Sequence, residues 1–325
     1  MATVSTMQCI NLERNTGIDA CPLDIKNIKG VIFCPPNYVL PAASFPNGGL
    51  RTQMLNDSRQ DSKALRIFPV ANFADFKDNS EKPVEEKLGY GDVGTVRDGI
   101  YDWQLRFRIG GLLLSNRLRS FNRGGNWYLF VDNNNQLFGT TAVDSTGALT
   151  IGAIPPIEFY QDVFAVNDGK KNTEYWSKYR FQPRYINELV AFSQDVEFDI
   201  LSTILGLQDV TVSVAAGGTS GVYQVTLLAG AAKINLATLF PTALASASLF
   251  TAANNTTGAS ITISSVALGT GANAGTFTVT LATTAPPYPA GATDKVAINI
   301  VGPTELATAL VPGYESLGAG LCVKN

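Results

Sequence analysis

Residues 276–283 read Thr-Phe-Thr-Val-Thr-Leu-Ala-Thr, and this alternation decides the fold of the region around it. Phe277, Val279 and Leu281 fall on one face of an extended strand and Thr276, Thr278 and Thr280 on the other, because successive strand side chains point to opposite sides. An apolar face backed by a hydroxyl face is the pattern of a half-buried antiparallel strand. Similar short runs occur at 210–214, 222–228, 260–266 and 295–301, with turns supplied by Gly217-Gly218, Asn254-Asn255 and the glycines of 269–275. Five to seven short strands in this span fit an immunoglobulin-like sandwich, although the Cys…Trp…Cys core of antibody domains is missing.

Charge marks the same region. The 95 residues of 208–302 carry only Asp209, Lys233, Asp294 and Lys295, whereas 1–207 carry 21 Lys/Arg and 23 Asp/Glu. The break predicts two domains: a charged, aromatic body over 1–207, to which 303–325 return, and a sandwich module over 208–302. A chain of 325 residues is long enough for two cores.

The body also reads as mainly β. Residues 101–109 (YDWQLRFRI) place Tyr101, Trp103, Leu105, Phe107 and Ile109 on one face and Asp102, Gln104, Arg106 and Arg108 on the other. Residues 126–132 (NWYLFVD) read as a more fully buried strand, Asn133–Asn135 as a turn, and 136–140 as the strand after it. Val196, Phe198 and Ile200 alternate with Glu197 and Asp199 as one more strand. Helical signal is sparse, clearest over 51–66 and in a short segment after Pro303, where Thr304 is placed to cap.

Composition narrows the function. The chain has no histidine, which removes the commonest general acid/base and the commonest metal ligand. Its net charge of −3 gives the whole chain no electrostatic pull on nucleic acid. Cys9, Cys21, Cys34 and Cys322 form no CxxC pair, and a zinc site would need all four at spacings unlike any ribbon or knuckle. They read as buried or incidental thiols, with a single disulfide left open. The N-terminus lacks a basic start and an apolar run, so the chain is expected to be made in a cytoplasm and to remain soluble there. The apolar window 234–253 contains Pro241 and five Ser/Thr and reads as strand, loop and short helix, not as a membrane span.

Two motifs fail on context. Gly89, Gly91 and Gly94 match GxGxxG, yet Glu85, Glu86 and Lys87 precede them and a strand follows, where a dinucleotide site needs a buried strand before and a helix after. Asp132–Gln136 lacks the glycine and terminal glutamate of a calcium loop. No catalytic residue, metal or cofactor is expected.

One charge pattern points to assembly. Asp75, Asp78, Glu81, Glu85, Glu86, Asp92, Asp98 and Asp102 crowd 75–102, and Arg106, Arg108, Arg117, Arg119 and Arg123 follow with no acid before Asp132. Two solvated faces would explain this. Complementary patches between copies of the chain would explain it too, since opposed fields set register and partner choice. On the second reading the candidate interface residues are Asp78, Glu81, Glu85, Glu86, Asp92, Arg106, Arg108, Arg117, Arg119 and Arg123. Much of the glycine-broken acidic stretch 75–100 is then expected to be an arm, disordered or mobile in the free subunit, that orders against a neighbouring copy.

The chain is similar to tail tube (major tail) proteins of bacteriophages, particularly those of Bacteroidetes-type hosts. The resemblance rests on Arg66-Ile-Phe-Pro69, Phe76-Lys-Asp78, the 101–107 strand, Phe138-Gly139-Thr140 and Gly313-Tyr-Glu315, in that order, with an Ig-like module appended. It implies a β-barrel or sandwich body with a flanking helix and a long extended loop. It also implies six-membered rings stacked into a tube through which DNA passes with at most transient, non-specific contact, other tail proteins as partners, and a place in the virion tail. The resemblance carries no active site and no membrane contact. Another virion component (capsid, collar or decoration protein) and a carbohydrate-binding adhesin are the alternatives.

Overall fold

The computed structural model describes residues 3–6, 28–71, 73–87, 93–107, 111–122, 125–162, 175–194, 196–284, 286–291 and 293–324. The chain divides into one unit of Met1–Ser58 with Ser62–Leu205 and a second of Arg59–Asp61 with Gly206–Asn325.

In chain order the first unit contains β1 (Thr3–Thr6), β2 (Ile28–Cys34), α1 (Gly49–Ser58), β3 (Phe68–Val70), β4 (Phe73–Asp78), β5 (Val84–Lys87), β6 (Val93–Arg97) and β7 (Tyr101–Phe107). It continues with α2 (Gly111–Arg119), β8 (Trp127–Asp132), β9 (Leu137–Val143), β10 (Leu149–Gly152), β11 (Glu158–Gln161), β12 (Tyr175–Phe181), α3 (Arg184–Asn187), β13 (Val190–Gln194) and α4 (Ile200–Thr203). One sheet runs β1-β13-β9-β8-β2-β3 with β10 on β9, and a second runs β11-β12-β7-β4.

Period-two alternation builds two cores on opposite faces of the first sheet. Phe33, Tyr128, Phe130, Phe138 and Phe192 point one way and meet Trp103, Leu105, Phe107, Phe159, Tyr179 and Phe181 of the second sheet. Their neighbours Ile32, Cys34, Leu129, Val131, Leu137 and Ala191 point the other way and pack with Leu50 and Met54 of α1. A shift of register between Ile28 and Gly30 lets Ile28 share a face with Val31 and Phe33. The body is therefore a β-sandwich with a helix over its outer aliphatic face.

The strand read from YDWQLRFRI is β7, and its interior face is as expected: Trp103, Leu105 and Phe107 are buried. NWYLFVD is the buried β8, and Asp132 closes the following turn by accepting from the Asn134 and Gln136 amides at 2.9 and 2.7 Å. Residues 196–199 are not a strand. Asp199 instead caps α4 by accepting from the Leu201 and Ser202 amides, while the alternation still sorts burial: Val196 and Phe198 pack against the core and Glu197 is exposed. The helix expected over 51–66 is the shorter α1, and Ser58 ends it.

β4 and β7 form the root of a long hairpin. Their register runs from Phe73 opposite Phe107 to Asp78 opposite Trp103. It continues through Asn79 N–H to Asp102 C=O and Glu81 N–H to Ile100 C=O, both at 2.9 Å. It ends in the β5–β6 ladder, from Val84 opposite Arg97 to Lys87 opposite Val93. At about 3.3 Å per residue, the arm from 73 to 87 has a contour of roughly 50 Å. Gly99 is needed on it, since a Cβ there would stand 1.9 Å from the Glu81 carbonyl oxygen. Residues 75–78 thus belong to the body sheet, because Phe76 joins the aromatic core, and the arm proper begins beyond them.

The second unit contains β14 (Gln208–Ala216), β15 (Val222–Ala229), β16 (Ile234–Asn235), α5 (Leu236–Leu239), β17 (Phe250–Asn254), β18 (Ile263–Leu268), β19 (Phe277–Leu281), β20 (Lys295–Ile300), α6 (Pro303–Thr308), β21 (Tyr314–Ser316) and β22 (Gly320–Val323). Its sheets run β18-β19-β15-β14-β21 and β17-β20-β22. Taking β14, β15, β17, β18, β19, β20 and β22 as strands A to G, these orders are DEBA and CFG, the immunoglobulin connectivity. Val210, Tyr223, Val225, Leu227, Phe277, Val279, Val296 and Ile298 fill the core between them.

Residues 303–325 do not return to the body. β21 pairs in parallel with β14, and β22 pairs with β20 from Lys295 opposite Val323 to Ile298 opposite Gly320. They supply the last strand of the sandwich, so its boundary is near Gly206 and runs to the end of the chain. Glu305, Glu315 and Lys324 hid this continuity, because their charges on partly exposed positions resemble those of the body. Thr304 does not cap α6 with its own side chain: Gly302 is the N-cap residue, and the Thr304 hydroxyl donates to Arg59 C=O.

Candidate subunit interface

The hairpin sorts the acidic candidates by depth. Asp78 ends β4 and accepts from the Ser80 amide at 2.9 Å, and it also accepts from the Ser80 hydroxyl. Glu81 lies just beyond, exposed, with its amide bonded across the hairpin. Glu85 and Glu86 are both exposed on β5, and as consecutive strand residues they point to opposite faces of the ribbon. Asp92 lies outside the described residues.

The β5–β6 ribbon is a sheet of two strands with no third strand among the described residues. A two-stranded ribbon is marginal by itself in water. Its root is firm, because β4 and β7 are in the body sheet and Phe76 packs edge-on to Trp103 at 5.7 Å. The geometry is a base within the body sheet carrying a polar ribbon whose edges take no further strand among the described residues.

The basic candidates separate into two groups. Arg106 stays within its own subunit: its guanidinium bonds Asp75 at 3.0 Å and sits 5.6 Å over the Trp176 ring. Strand register explains this, since Trp176 and Asp75 are the residues opposite Arg106 on β12 and β4. Arg117 and Arg119 are exposed on the last turn of α2, where cations also complement the helix dipole. Leu118 between them is buried in the aromatic core, and this presents the two arginines on an anchored helix. Arg108 and Arg123 lie outside the described residues.

An ion-paired row that the sequence reading missed lines the outer face of the second sheet. Arg180 donates from Nε to Asp102 at 3.0 Å and from Nη1 to Glu158 at 2.9 Å. The hydrogen bond to Asp102 pushes the Arg180 pKa up, so the cation is secured. Asp102 and Arg180 are 78 residues apart, and only the β7–β12 register makes them opposite. No local pattern in the sequence signals that pairing.

At the root of the hairpin an open cavity of about 300 Å³ is lined by Glu81, Asp98, Tyr101, Arg184, Asn187 and Glu188, among others. The Tyr101 hydroxyl donates to Asn187 Oδ1 at 2.7 Å, and burial with the nearby Asp78 charge raises its pKa. Among the described residues no three His, Cys, Asp or Glu side chains are grouped to hold a metal ion. Cys34 is buried and its thiol pKa is pushed well up by desolvation; Cys322 is partly buried and raised for the same reason. Cys9 and Cys21, like Gly89 and Gly91 of the glycine motif, lie outside the described residues. No helix among the described residues is long and apolar enough to cross a membrane.

No family model matches the chain, and neither a curated protein nor a solved structure does.

Proposed function

We propose that the protein is a non-enzymatic, self-assembling structural subunit of the bacteriophage tail tube type, in which copies form rings, six to a ring, that stack into a conduit for DNA. The observation that carries this reading is the long β4–β7 hairpin, firmly rooted in a sandwich body and ending in a ribbon with open edges. A monomeric function gives no reason to extend such a ribbon into solvent, whereas a neighbouring copy would complete its sheet. The sequence resemblance to tail tube proteins supports the same reading, since it implies a sandwich body, a flanking helix and a long extended segment. The Ig-like module is then an appended domain, other tail proteins are further partners, the virion tail is the location, and DNA is met transiently if at all.

Within this reading, the exposed carboxylates Glu81, Glu85 and Glu86 approach Arg117 and Arg119 of a neighbour. Arg106 is no longer part of the proposal, because Asp75 and Trp176 hold it. Exposed ion pairs contribute only about 0–1 kcal/mol each, but a closed ring repeats every contact. Electron microscopy of the purified protein tests the reading: rings or tubes are expected. Arg117→Glu with Arg119→Glu should leave a folded subunit that no longer assembles, and raised salt should weaken wild-type assembly. Monodisperse single subunits at all concentrations would defeat it.

An adhesin is the second reading, favoured by Tyr160, 41% exposed on β11 and opposite Lys178, on the same sheet face as the half-buried Trp176 of β12 and a row of ion-paired polar groups. Glycan affinity lost in Tyr160→Ala, without rings, would support it instead.

A further inference from the structure

The second unit closes its sheet edges unequally. β21 is only three residues long and carries Glu315. β22 runs close along β14, so that a Cβ on Gly320 would stand 2.8 Å from the Val212 carbonyl oxygen. β17 is partly paired on its outer side, where Ile261 N–H donates to Ala252 C=O at 2.8 Å. β18 differs from all three. Its sequence, ISSVAL, has neither charge nor proline, and the nearest charged residues along the chain are Lys233 and Asp294. β19 pairs with one side of it, and among the described residues no hydrogen bond reaches the backbone of 263–268 from the other. Folded proteins usually blunt such an edge with charge, proline or a bulge. Here the one irregularity, between Ile263 and Ser265, comes at the start of the strand and leaves 265–268 regular.

The side chains show the same incompleteness. Val266 and Leu268 stand opposite Val279 and Phe277, both fully buried, so they belong to the core side of the sheet. Yet Val266 is only half-buried and Leu268 is 38% exposed, because the apolar layer runs out at this edge. Ser265 and Ala267, on the opposite face, are exposed.

We propose that β18 is a docking edge for β18 of a second copy of this chain, the two strands running antiparallel about a two-fold axis and joining two sandwich sheets into one. The occupant is argued from charge and shape. Residues 234–293 contain no charged side chain, so two copies meet without like-charge repulsion and the edge offers no charge by which a different partner would be selected. An edge paired with itself is isologous, and Val266 and Leu268 of each copy continue the apolar layer of the other. Only 265–268 pair regularly, so the association is reversible. It does not depend on the tail tube reading. Subunits within a polar ring are related by rotation about the ring axis, so a two-fold pairing joins free subunits or subunits of different rings.

Sedimentation velocity on the full chain tests this. The parent for the measurement is Arg117→Glu/Arg119→Glu, in which ring assembly is suppressed if the proposed function holds, compared with the same chain carrying Ser265→Lys and Ala267→Lys. Both added lysines replace exposed side chains, and an unchanged melting temperature confirms the fold. The parent should show a monomer–dimer equilibrium, with the dimer weakened about tenfold or more by four lysines across the seam and partly restored by salt. Amide exchange at 265–268 should slow with rising protein concentration in the parent alone. A parent that stays monomeric at about 100 µM, far above typical specific affinities, overturns the proposal. A dimer indifferent to the lysines does the same. Rings in the wild type without a lysine-sensitive dimer defeat this inference and leave the assembly reading standing; the dimer without rings does the reverse.

Discussion

Trp103 concentrates the packing of the body in one side chain. It is 1% exposed and meets Phe76, Tyr101, Phe130, Phe138 and Phe181 at centroid separations of 4.7 to 6.3 Å, each steeply inclined to it. Edge-on aromatic pairs add about 0.5–1.5 kcal/mol each beyond area burial. Trp103→Ala is therefore expected to cost about 3–5 kcal/mol in chemical denaturation. Trp103→Phe should cost much less, because the Trp103 Nε1 donor has no hydrogen-bond partner among the described residues and its removal relieves a buried unmet group. Asp144 is a second residue with a definite test. Its carboxylate accepts from the Thr146 hydroxyl at 2.6 Å, from the Thr146 and Ala148 amides, and from the Ala42 amide at 2.9 Å. These bonds, the Thr146 hydroxyl foremost, lower its pKa to about 2. A folded-state pKa below the unfolded value of about 3.9 gives stability that is present above pH ~4 and lost as pH falls toward 2. The melting temperature of wild type should exceed that of Asp144→Asn near pH 6, and the gap should close near pH 2; a gap constant with pH would refute the assignment. Trp103 was legible from the sequence because alternation alone puts it inside. Arg106 was legible as an alternating polar residue but not as a paired one, since Asp75 and Trp176 reach it only through sheet register.

At the scale of elements, legibility followed local pattern only in part. β7, β8, β14, β15, β19 and β20 each carry enough apolar alternation or density to be read directly. β17, β21 and β22 do not, and they were missed; β2 (IKGVIFC), β12 (YWSKYRF) and β13 (VAFSQ) were missed too, although their apolar residues carry the signal. β17 reads FTAAN, and its small residues become core only because β20 lies alongside. β22 reads GLCV, a run too short to signal a strand without its partner. Helix α6 shows another kind of non-local dependence. Its first turn is capped by Asp61, whose Oδ1 accepts from the Thr304 amide at 3.1 Å across 243 residues of sequence. Asp61→Ala should therefore destabilise the second unit by about 1 kcal/mol, and Asp61→Asn, which keeps an acceptor, by less. Thermal denaturation followed by exchange of the 304–308 amides checks this, and equal effects of the two substitutions would remove the cap from the account. The β5–β6 ribbon makes the contrasting prediction. Replacing 84–97 by a short turn removes no residue of the aromatic core, so the body should keep its stability while losing assembly. Loss of folding instead would mean that the ribbon supports the body.

For the whole molecule, the composition break located the sandwich correctly at its start but not at its end. Charge density is a surface property, and it falls or rises wherever exposed positions change, whether or not a fold boundary is crossed. Strand pairing is the better criterion, and it places β21 and β22 with β14 and β20. Two fragments separate the alternatives. Residues 208–302 keep six of the seven strands lettered A to G but leave β20 without its outer partner, exposing the ladder from Lys295 to Ile298 beside the buried Val296 and Ile298. They also lack Leu306 and Val311, both fully buried in the same core. Removing two buried aliphatic side chains and an edge strand costs several kcal/mol at about 1.5–3 kcal/mol per side chain, comparable to the entire stability of a small domain. Residues 206–325 retain all of these and lose the Asp61 cap, about 1 kcal/mol, and the Thr304 hydroxyl bond to the Arg59 carbonyl. The longer fragment should unfold in one cooperative transition in urea, with resolved near-ultraviolet circular dichroism from Tyr223 and Tyr288, whose hydroxyls lie 2.9 Å apart in the core. The shorter fragment should show neither. Cooperative unfolding of 208–302 at comparable stability would mean that the C-terminal strands ride on a sandwich already complete, and the boundary drawn from charge alone would be the physical one.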